Sequence, residues 1–561
     1  MPAVPTAATA LSISPPPGRR LAWLAVALTL LALWFVKLPD RLLTHPDEGR
    51  YAEIPREMVA TGDWVTPRLN GFAYLQKPPL QYWATAAAYE AFGVSEWTAR
   101  LWTALTGLAA VLVTAFAGRR LLGPSAGLLG AAALAASPYF VVMSGLNTLD
   151  MGVSLFLSSA VFAYLLSRQA ATAAAGRGWM LVAWGAMALA VLSKGLIGVA
   201  LPLGTLVVYA AWHRDAGALA RLHWLPGLAL FGALAAPWFV LAARANPGFL
   251  EFFFLHEHFQ RFTSTVHNRA GPVWYFLPIL ALAAGPWLVA LGEGALRAWR
   301  ARPAGRAVSA RRFLLVWCAV VFVFFSLSQS KLPAYLLPIV PAAALLAGDA
   351  LAAGTRRSVL ALTVGTMVFG VLTFVANEVL EDRNLGVLTS IYEAFSVWTE
   401  SGSMLLVVVA GVALYWIDRT HPRRLSLALL AACYVSMSLG LVGYGQLAPT
   451  RSGASFARTI ERLGPPDAPV YSVNMYDQTL PFYLRRPVTV VAFTGELEPG
   501  IRADPGRQVP TLADFEARWE SAGAAFAVLP PDTFEALRRA GLPMVLVAEE
   551  PKKVLVRKPP G

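Results

Sequence analysis

One apolar run follows another along most of this chain, each about 16–22 residues long and broken by short charged or Gly/Pro-rich segments. About 20 residues of helix cross the roughly 30 Å hydrocarbon layer of a bilayer. In that layer each backbone N–H and C=O must be paired within its own segment, so repeated runs of this length specify helices. Thirteen runs fall at 21–38, 100–117, 124–142, 152–167, 178–193, 196–212, 223–243, 273–292, 313–328, 333–352, 358–377, 403–417 and 424–445. The two meeting at Ser193-Lys194-Gly195 can also be read as one broken helix. Of the 561 residues 14% are charged, against roughly 25% in soluble domains. That deficit excludes a disordered chain and argues against a soluble multidomain enzyme. The expected fold class is an α-helical polytopic membrane protein.

A net charge of +13 can signal nucleic-acid binding, but here its placement decides against that. With the N-terminus inside, nineteen arginines fall on the cytoplasmic rims, Arg19, Arg119, Arg168, Arg311 and Arg356 among them. Only Asp215, Glu293, Asp349 and Asp418 accompany them, an excess of fifteen positive charges that accounts for the whole surplus. This is the positive-inside pattern; no nucleic-acid partner is expected, and an odd number of spans puts the C-terminus outside. Arg19-Arg20 before an apolar run resembles a signal peptide, yet Lys37–Arg41 closes the run without a small-x-small cleavage site, so an uncleaved helix is expected. Cys318 and Cys433 both fall within spans and leave no disulfide framework outside.

Two outer segments exceed the length of connectors. The first, 39–99, holds Asp47-Glu48-Gly49-Arg50-Tyr51, Gly62-Asp63-Trp64 and Lys77-Pro78-Pro79. Glu48–Ala60 reads as a short amphipathic helix with Asp47 near its N-terminus. Leu80–Phe92 reads as an interfacial helix starting at the two prolines. The second segment, 446–561, alternates strand-like pieces (469–473, 488–493, 525–529, 545–548) with helix-like ones (456–463, 512–522, 533–540). Such alternation indicates a small α/β domain. The domain division expected is 1–445, a transmembrane part that includes the 39–99 loop, and 446–561.

The outer side collects the carboxylates Asp47, Glu48 and Asp150, the cations Arg50, Lys77, Arg261 and Lys331, and the aromatics Tyr51, Tyr74, Tyr82 and Tyr335. Ionisable groups beside hydrocarbon are costly unless paired or lining an aqueous cavity, so their placement marks function. Lys and Arg backed by tyrosine hydroxyls suit a phosphate headgroup. An apolar groove would take a lipid tail. Bland readings stand beside these: Asp47-Glu48 as dipole partners, Lys77 as a snorkelling anchor, Asp150 as an N-cap. His256 and His258 flank Glu257 and are candidates for a divalent metal, but i, i+2 spacing sets them on different faces of a helix.

These residues carry a resemblance. Asp47-Glu48-x-Arg50-Tyr51-Ala52-Glu53, Gly62-Asp63-Trp64, Pro67-x-Leu69-Asn70-Gly71 and Lys77-Pro78-Pro79-Leu80 look like the first outer loop of polyprenyl-phosphate glycosyltransferases of the protein O-mannosyltransferase superfamily. Ser193-Lys194-Gly195, Ser330-Lys331-Leu332-Pro333 and Asp477-Gln478-Thr479-Leu480-Pro481 extend the similarity over nearly the whole chain. Within the superfamily the sequence most resembles the lipid A aminoarabinose transferases. The resemblance implies the type C membrane glycosyltransferase fold. It implies transfer of 4-amino-4-deoxy-L-arabinose from undecaprenyl phosphate to a lipid A phosphate, at the periplasmic face of the bacterial inner membrane. It assigns Asp47 as the principal catalytic carboxylate and Asp150 as a second acid, with Lys77, Arg261, Tyr335 and Tyr74 on the donor phosphate. Arg50 and Tyr51 join that donor set on their chemistry, and Glu48, Tyr82 and Lys331 are further candidates for substrate contact. The family usually has Glu before Lys-Pro-Pro; here Gln76 stands there, which weakens any metal site that such a Glu would build. No cofactor is expected to be required, and a monomer among membrane lipids is expected. Other sugars or acceptors of the same class, and a lipid flippase, remain as alternatives.

Overall fold

The thirteen apolar runs fall on helices, but 124–142 is divided between two and not every run makes a helix of spanning length. The structure, a computed structural model, describes residues 17–36, 38, 41–214, 216–260, 271–301, 308–381 and 388–559. Helices α1 (Pro17–Val36), α2 (Asp47–Thr61), α3 (Leu80–Phe92), α4 (Glu96–Leu121), α5 (Pro124–Ala135), α6 (Pro138–Ser144), α7 (Asp150–Gln169), α8 (Ala173–Lys194), α9 (Ile197–His213) and α10 (Trp224–Ala245) come first. Membrane-length helices follow at Val273–Arg300, Ala310–Leu327, Pro333–Ala352, Arg356–Leu380, Thr389–Trp416 and Pro422–Arg451. Among the described residues ten helices are long and apolar enough to cross a membrane, and α5 with α6, bent by 66°, makes an eleventh. The bend falls at Ser137-Pro138, where the serine hydroxyl accepts the Phe140 N–H at 3.3 Å and restarts the helix. The break between α8 and α9 is real: Gly195 has φ 84°, a left-handed conformation that only glycine adopts without strain.

Helices in a membrane associate through close packing rather than hydrophobic contrast with the lipid, which favours small residues at crossings. A Cβ at Gly127 would lie 2.4 Å from the Arg119 nitrogen, and one at Gly348 would lie 2.3 Å from the Gly130 nitrogen. These glycines let α4, α5 and the 333–352 helix touch backbone to backbone. The last of these is buried throughout from Leu336 to Leu351, as expected of the central helix in a bundle. At the ends remote from the outer loops the rim arginines meet the acids assigned to that side. Arg311 pairs with Asp349 at 2.7 Å, Arg356 with Asp418 at 2.6 Å and Arg297 with Glu293 at 2.6 Å; Asp215 lies outside the described residues.

The first outer loop folds as α2, a hairpin and α3. Gly62 ends α2 with φ 69°. Strands β1 (Arg68–Leu69) and β2 (Phe72–Ala73) are joined by Asn70-Gly71. Both turn residues have positive φ (57° and 78°), the requirement of a type I′ hairpin. Helix α2 departs from the amphipathic expectation: from Glu48 to Met58 every residue except Arg50 is buried. The reason is the C-terminal unit, which covers the face that solvent was expected to occupy.

That unit contains β3 (Val470–Val473), β4 (Thr489–Val491), β5 (Phe526–Leu529), β6 (Val545–Glu550) and β7 (Lys553–Arg557) in the order β4-β3-β5-β7-β6. β3 is parallel to β4 and β5, while β7 is antiparallel to β5 and β6. Helices at Ala454–Leu463, Leu512–Ser521 and Pro531–Arg539 match the expected positions. β7 is the strand the sequence reading lacked. The unit shares one core with the first loop, in which Tyr51, Ile54, Leu69 and Phe72 pack with Phe456, Val470, Val488 and Leu555. The Asn70 amide adds a strand-like pair, donating to and accepting from the Val488 backbone at 2.8 Å each way. Gly49 permits the closest approach, since a Cβ there would lie 2.6 Å from the Gln478 carbonyl carbon.

Candidate active site

Where the first loop, the C-terminal unit and the outer ends of the bundle converge, they enclose a cavity of about 1030 Å³. Of the residues singled out in the sequence, Asp47, Arg50, Tyr51, Tyr74, Lys77, Asp150, His256 and Tyr335 line it. They come from α2, the segment after β2, the start of α7, the 252–260 helix and the turn before the central helix. An apolar wall of Leu196, Ile197, Ala200, Phe324 and Phe325, contributed by two apolar helices, continues the cavity alongside the bundle.

Asp47 is the first residue of α2, and its side chain is 56% exposed. One oxygen accepts from Arg50 Nη1 at 2.8 Å. Arg50 also pairs with Glu496 at 2.6 Å, and its guanidinium lies 5.6 Å and 6.0 Å from the ring centres of Tyr51 and Tyr74. Burial works against the Arg50 cation, but Tyr74, Glu496, Tyr51 and Asp47 outweigh it and hold its pKa above the ordinary arginine value. Burial raises the Tyr51 and Tyr74 hydroxyls, so both stay neutral donors. Lys77 donates to Glu257 Oε2 at 2.8 Å and to the Gln76 carbonyl at 2.8 Å. Asp150, at the start of α7, pairs with Lys194 at the end of α8. The Lys194 ammonium lies 4.9 Å from the Tyr335 ring centre. The cavity thus presents three cations and several carboxylates in alternation over an apolar slot.

Three candidates lie away from its lining. Glu48 is 2% exposed and accepts from Arg41 and Arg100. The Thr44 hydroxyl and the Asn147 N–H donate to it as well. Burial alone would raise its pKa; Arg100 and Arg41 prevail and bring it down to about 2. A carboxylate so fully engaged ties α2 to α4 and has no oxygen left for a substrate. Tyr82 is fully buried, its ring tilted against that of Tyr51 with centres 6.0 Å apart. Lys331 is buried with its ammonium on the Ser326 and Ser328 carbonyls at 3.1 Å and 2.6 Å, where it caps the end of a span. Arg261 lies outside the described residues, as does the side chain of His258.

Among the described residues no group of three His, Cys, Asp or Glu side chains is placed to hold a metal ion. Where the family usually has Glu, Gln76 is an amide hydrogen-bonded to Tyr74 and to the Glu496 backbone, and Glu257 faces Lys77. The sequence reading singled out none of the lining residues of the C-terminal unit, Gln478 and Glu496 among them, nor Lys194, for the site. The Ser-Lys-Gly break between two spans was a signal for Lys194; nothing local marks Glu496.

The family described as dolichyl-phosphate-mannose-protein mannosyltransferase matches residues 20–253, and the one described as aminoarabinose transferase C-terminal domain matches residues 456–558. The crystal structure of ArnT from Cupriavidus metallidurans bound to undecaprenyl phosphate is 38% identical, with a TM-score of 0.90, over 96% of this chain and 98% of that one. Fold and cavity thus define a multi-pass membrane protein of the polyprenyl-phosphate glycosyltransferase class. An undecaprenyl phosphate-α-4-amino-4-deoxy-L-arabinose arabinosyl transferase of Aeromonas salmonicida is 31% identical over 433 residues, 74% of this chain and 76% of the relative. One from Edwardsiella ictaluri is 34% identical over 337 residues, a match spanning 59% of that protein's length. The chain belongs to the undecaprenyl phosphate-aminoarabinose arabinosyl transferase family.

Proposed function

We propose that this protein transfers 4-amino-4-deoxy-L-arabinose from undecaprenyl phosphate to a phosphate of lipid A. The observation that carries the reading is the cavity itself, which sets an open Asp47 carboxylate among Arg50, Lys77 and Lys194 above an apolar wall from two apolar helices. The wall takes the start of the polyprenyl chain. Lys77 and Arg50, with Tyr335 as a hydroxyl donor and the Tyr74 ring beside Arg50, neutralise the phosphate that departs, as fixed groups placed where charge develops. Arg261 belongs to the same donor set by resemblance.

An acceptor phosphate is already anionic near neutral pH and needs little help from a base. In the step proposed, an acceptor phosphate oxygen attacks the sugar's anomeric carbon. The bond from that carbon to the donor phosphate oxygen breaks with inversion, and the electron pair leaves with undecaprenyl phosphate. Asp47 stabilises positive character on the sugar, including its ammonium group, and becomes a general base where the acceptor is a hydroxyl. Asp150 holds Lys194 toward the cavity. In the same reading the cavity faces the periplasm from the inner membrane, the N-terminus is cytoplasmic, and 1–445 and 446–561 are the two parts of the chain. The arginine rim at the opposite helix ends supports that orientation.

Purified protein incubated with undecaprenyl-phosphate-aminoarabinose and lipid A tests this. The expected product is lipid A heavier by one aminopentose. Active transfer of another sugar, or onto a peptide or polysaccharide in place of lipid A, would replace the substrate assignment and keep the class.

A further inference from the structure

Between two of the cavity's cation–carboxylate pairs, Arg50–Glu496 and Lys77–Glu257, sits a side chain that carries no charge. Gln76 Oε1 accepts the Tyr74 hydroxyl at 3.0 Å, and its Nε2 donates to the Glu496 backbone carbonyl at 3.0 Å. Its own carbonyl accepts the Lys77 ammonium at 2.8 Å. We propose that Gln76 is a positioning residue: its carboxamide clasps the first outer loop to the C-terminal unit and fixes the carboxylate that holds Arg50 at the cavity. The inference rests on the function proposed above for its catalytic consequence, and on geometry alone for the clasp.

Three features support it. Glu496 lies on a single short turn, Gly495–Leu497, between β4 and the 498–503 helix, so no sheet ladder fixes it. Its carboxylate is fully used: one oxygen accepts from Arg50 at 2.6 Å, with the Tyr74 hydroxyl oxygen 3.2 Å away, and the other accepts from Gln478 at 2.6 Å. A shift of that turn would therefore move Arg50, Tyr74 and Gln478 together. The clasp also demands a particular polarity. One end of residue 76 must accept from a hydroxyl while the other donates to a carbonyl, and a carboxamide does both. An ionised carboxylate would turn a lone pair toward the Glu496 carbonyl, whereas a protonated one would restore the donor.

The test compares the wild type with Gln76→Ala and Gln76→Glu. In Gln76→Ala, kcat/KM should fall about tenfold, through a rise in donor KM, at every pH. In Gln76→Glu, transfer should approach the wild type at acid pH and decline as the new carboxyl ionises. The ionisable groups that line the cavity with that carboxyl are Asp47, Arg50, Tyr51, Tyr74, Lys77, Asp150, Lys194, His256, Glu257, Tyr335, Glu496 and Glu498, so the comparison is always to the wild-type profile at the same pH. Hydrogen exchange gives a readout independent of transfer. Backbone amides of 494–500 should exchange faster in Gln76→Ala while those of β5 stay unchanged. Wild-type exchange and wild-type kinetics in Gln76→Ala would overturn the clasp, and a pH-independent loss in Gln76→Glu would overturn its polarity requirement. Absence of transfer by the wild type would instead overturn the proposed function, with exchange at 494–500 still deciding the clasp.

Discussion

Asp47 and Glu48 are neighbours in sequence, at the first two positions of one helix, and they meet opposite fates. Asp47 looks into the cavity, more than half exposed, with one guanidinium partner. Glu48 turns away from it, 2% exposed, and is held by two guanidinia, a hydroxyl and two backbone N–H groups. Successive residues on a helix are about 100° apart, so a single turn of chain serves both sides of the loop. The difference is one of saturation. A buried carboxylate with every lone pair engaged is part of the scaffold, whereas one with an oxygen facing a cavity is available for chemistry.

That contrast can be broken from either side. The largest effect belongs to Glu48→Gln, which leaves Arg41 and Arg100 buried with one counter-charge fewer; breaking such a buried set costs about 3–5 kcal/mol. The expected observation is a sharply lower melting temperature, and wild-type stability would move Glu48 out of the scaffold. Lys77→Ala should raise donor KM by about tenfold or more, as loss of a charge-assisted contact does; an unchanged KM would remove Lys77 from the donor set. A smaller effect separates two buried glutamates by the sign of their pH dependence. Glu48, with its pKa lowered to about 2, contributes stability at neutral pH that is lost as pH falls below the ordinary glutamate range and through about 2. Glu57 is the reverse: burial, then the Glu53 charge, raise it to about 8. Its contribution is present in full below the ordinary glutamate pKa and is lost as pH rises through about 8. Melting temperatures of Glu57→Gln should accordingly lose part of the wild-type decline between pH 5 and pH 8; an identical slope would contradict this. Smallest of all, Asp418→Asn on the opposite rim should change neither stability nor transfer, because its Arg356 pair is open to solvent.

How much of this was legible in the sequence follows from how local each signal is. The spans were legible because length and apolarity are properties of a segment, and the α8–α9 break because Gly195 punctuates it. The helices around Asp47 and Leu80 were legible from their prolines and Gly62. β7 was not, since Val554-Leu555-Val556 is a short apolar core between charged ends, and its strand identity comes from pairing with β5 and β6. Eight of the candidate side chains line the cavity, yet Glu48, Tyr82 and Lys331 carried the same local signal and are turned inward. Charge beside an apolar run says that a group must be satisfied; it does not say whether protein or substrate satisfies it. Glu496 lay beyond such reasoning because it meets Arg50 and Gln76 across more than 400 residues of chain, and Gln478 reaches the cavity through Glu496.

The division of labour between positions 47 and 48 is tested most directly by Asp47→Asn assayed for aminoarabinose transfer to lipid A, with its melting temperature measured on the same preparation. The predicted result is a loss of about 100-fold or more in kcat at wild-type stability, the inverse of Glu48→Gln. Full transfer by Asp47→Asn would take Asp47 out of the mechanism and leave the open carboxylate without a role.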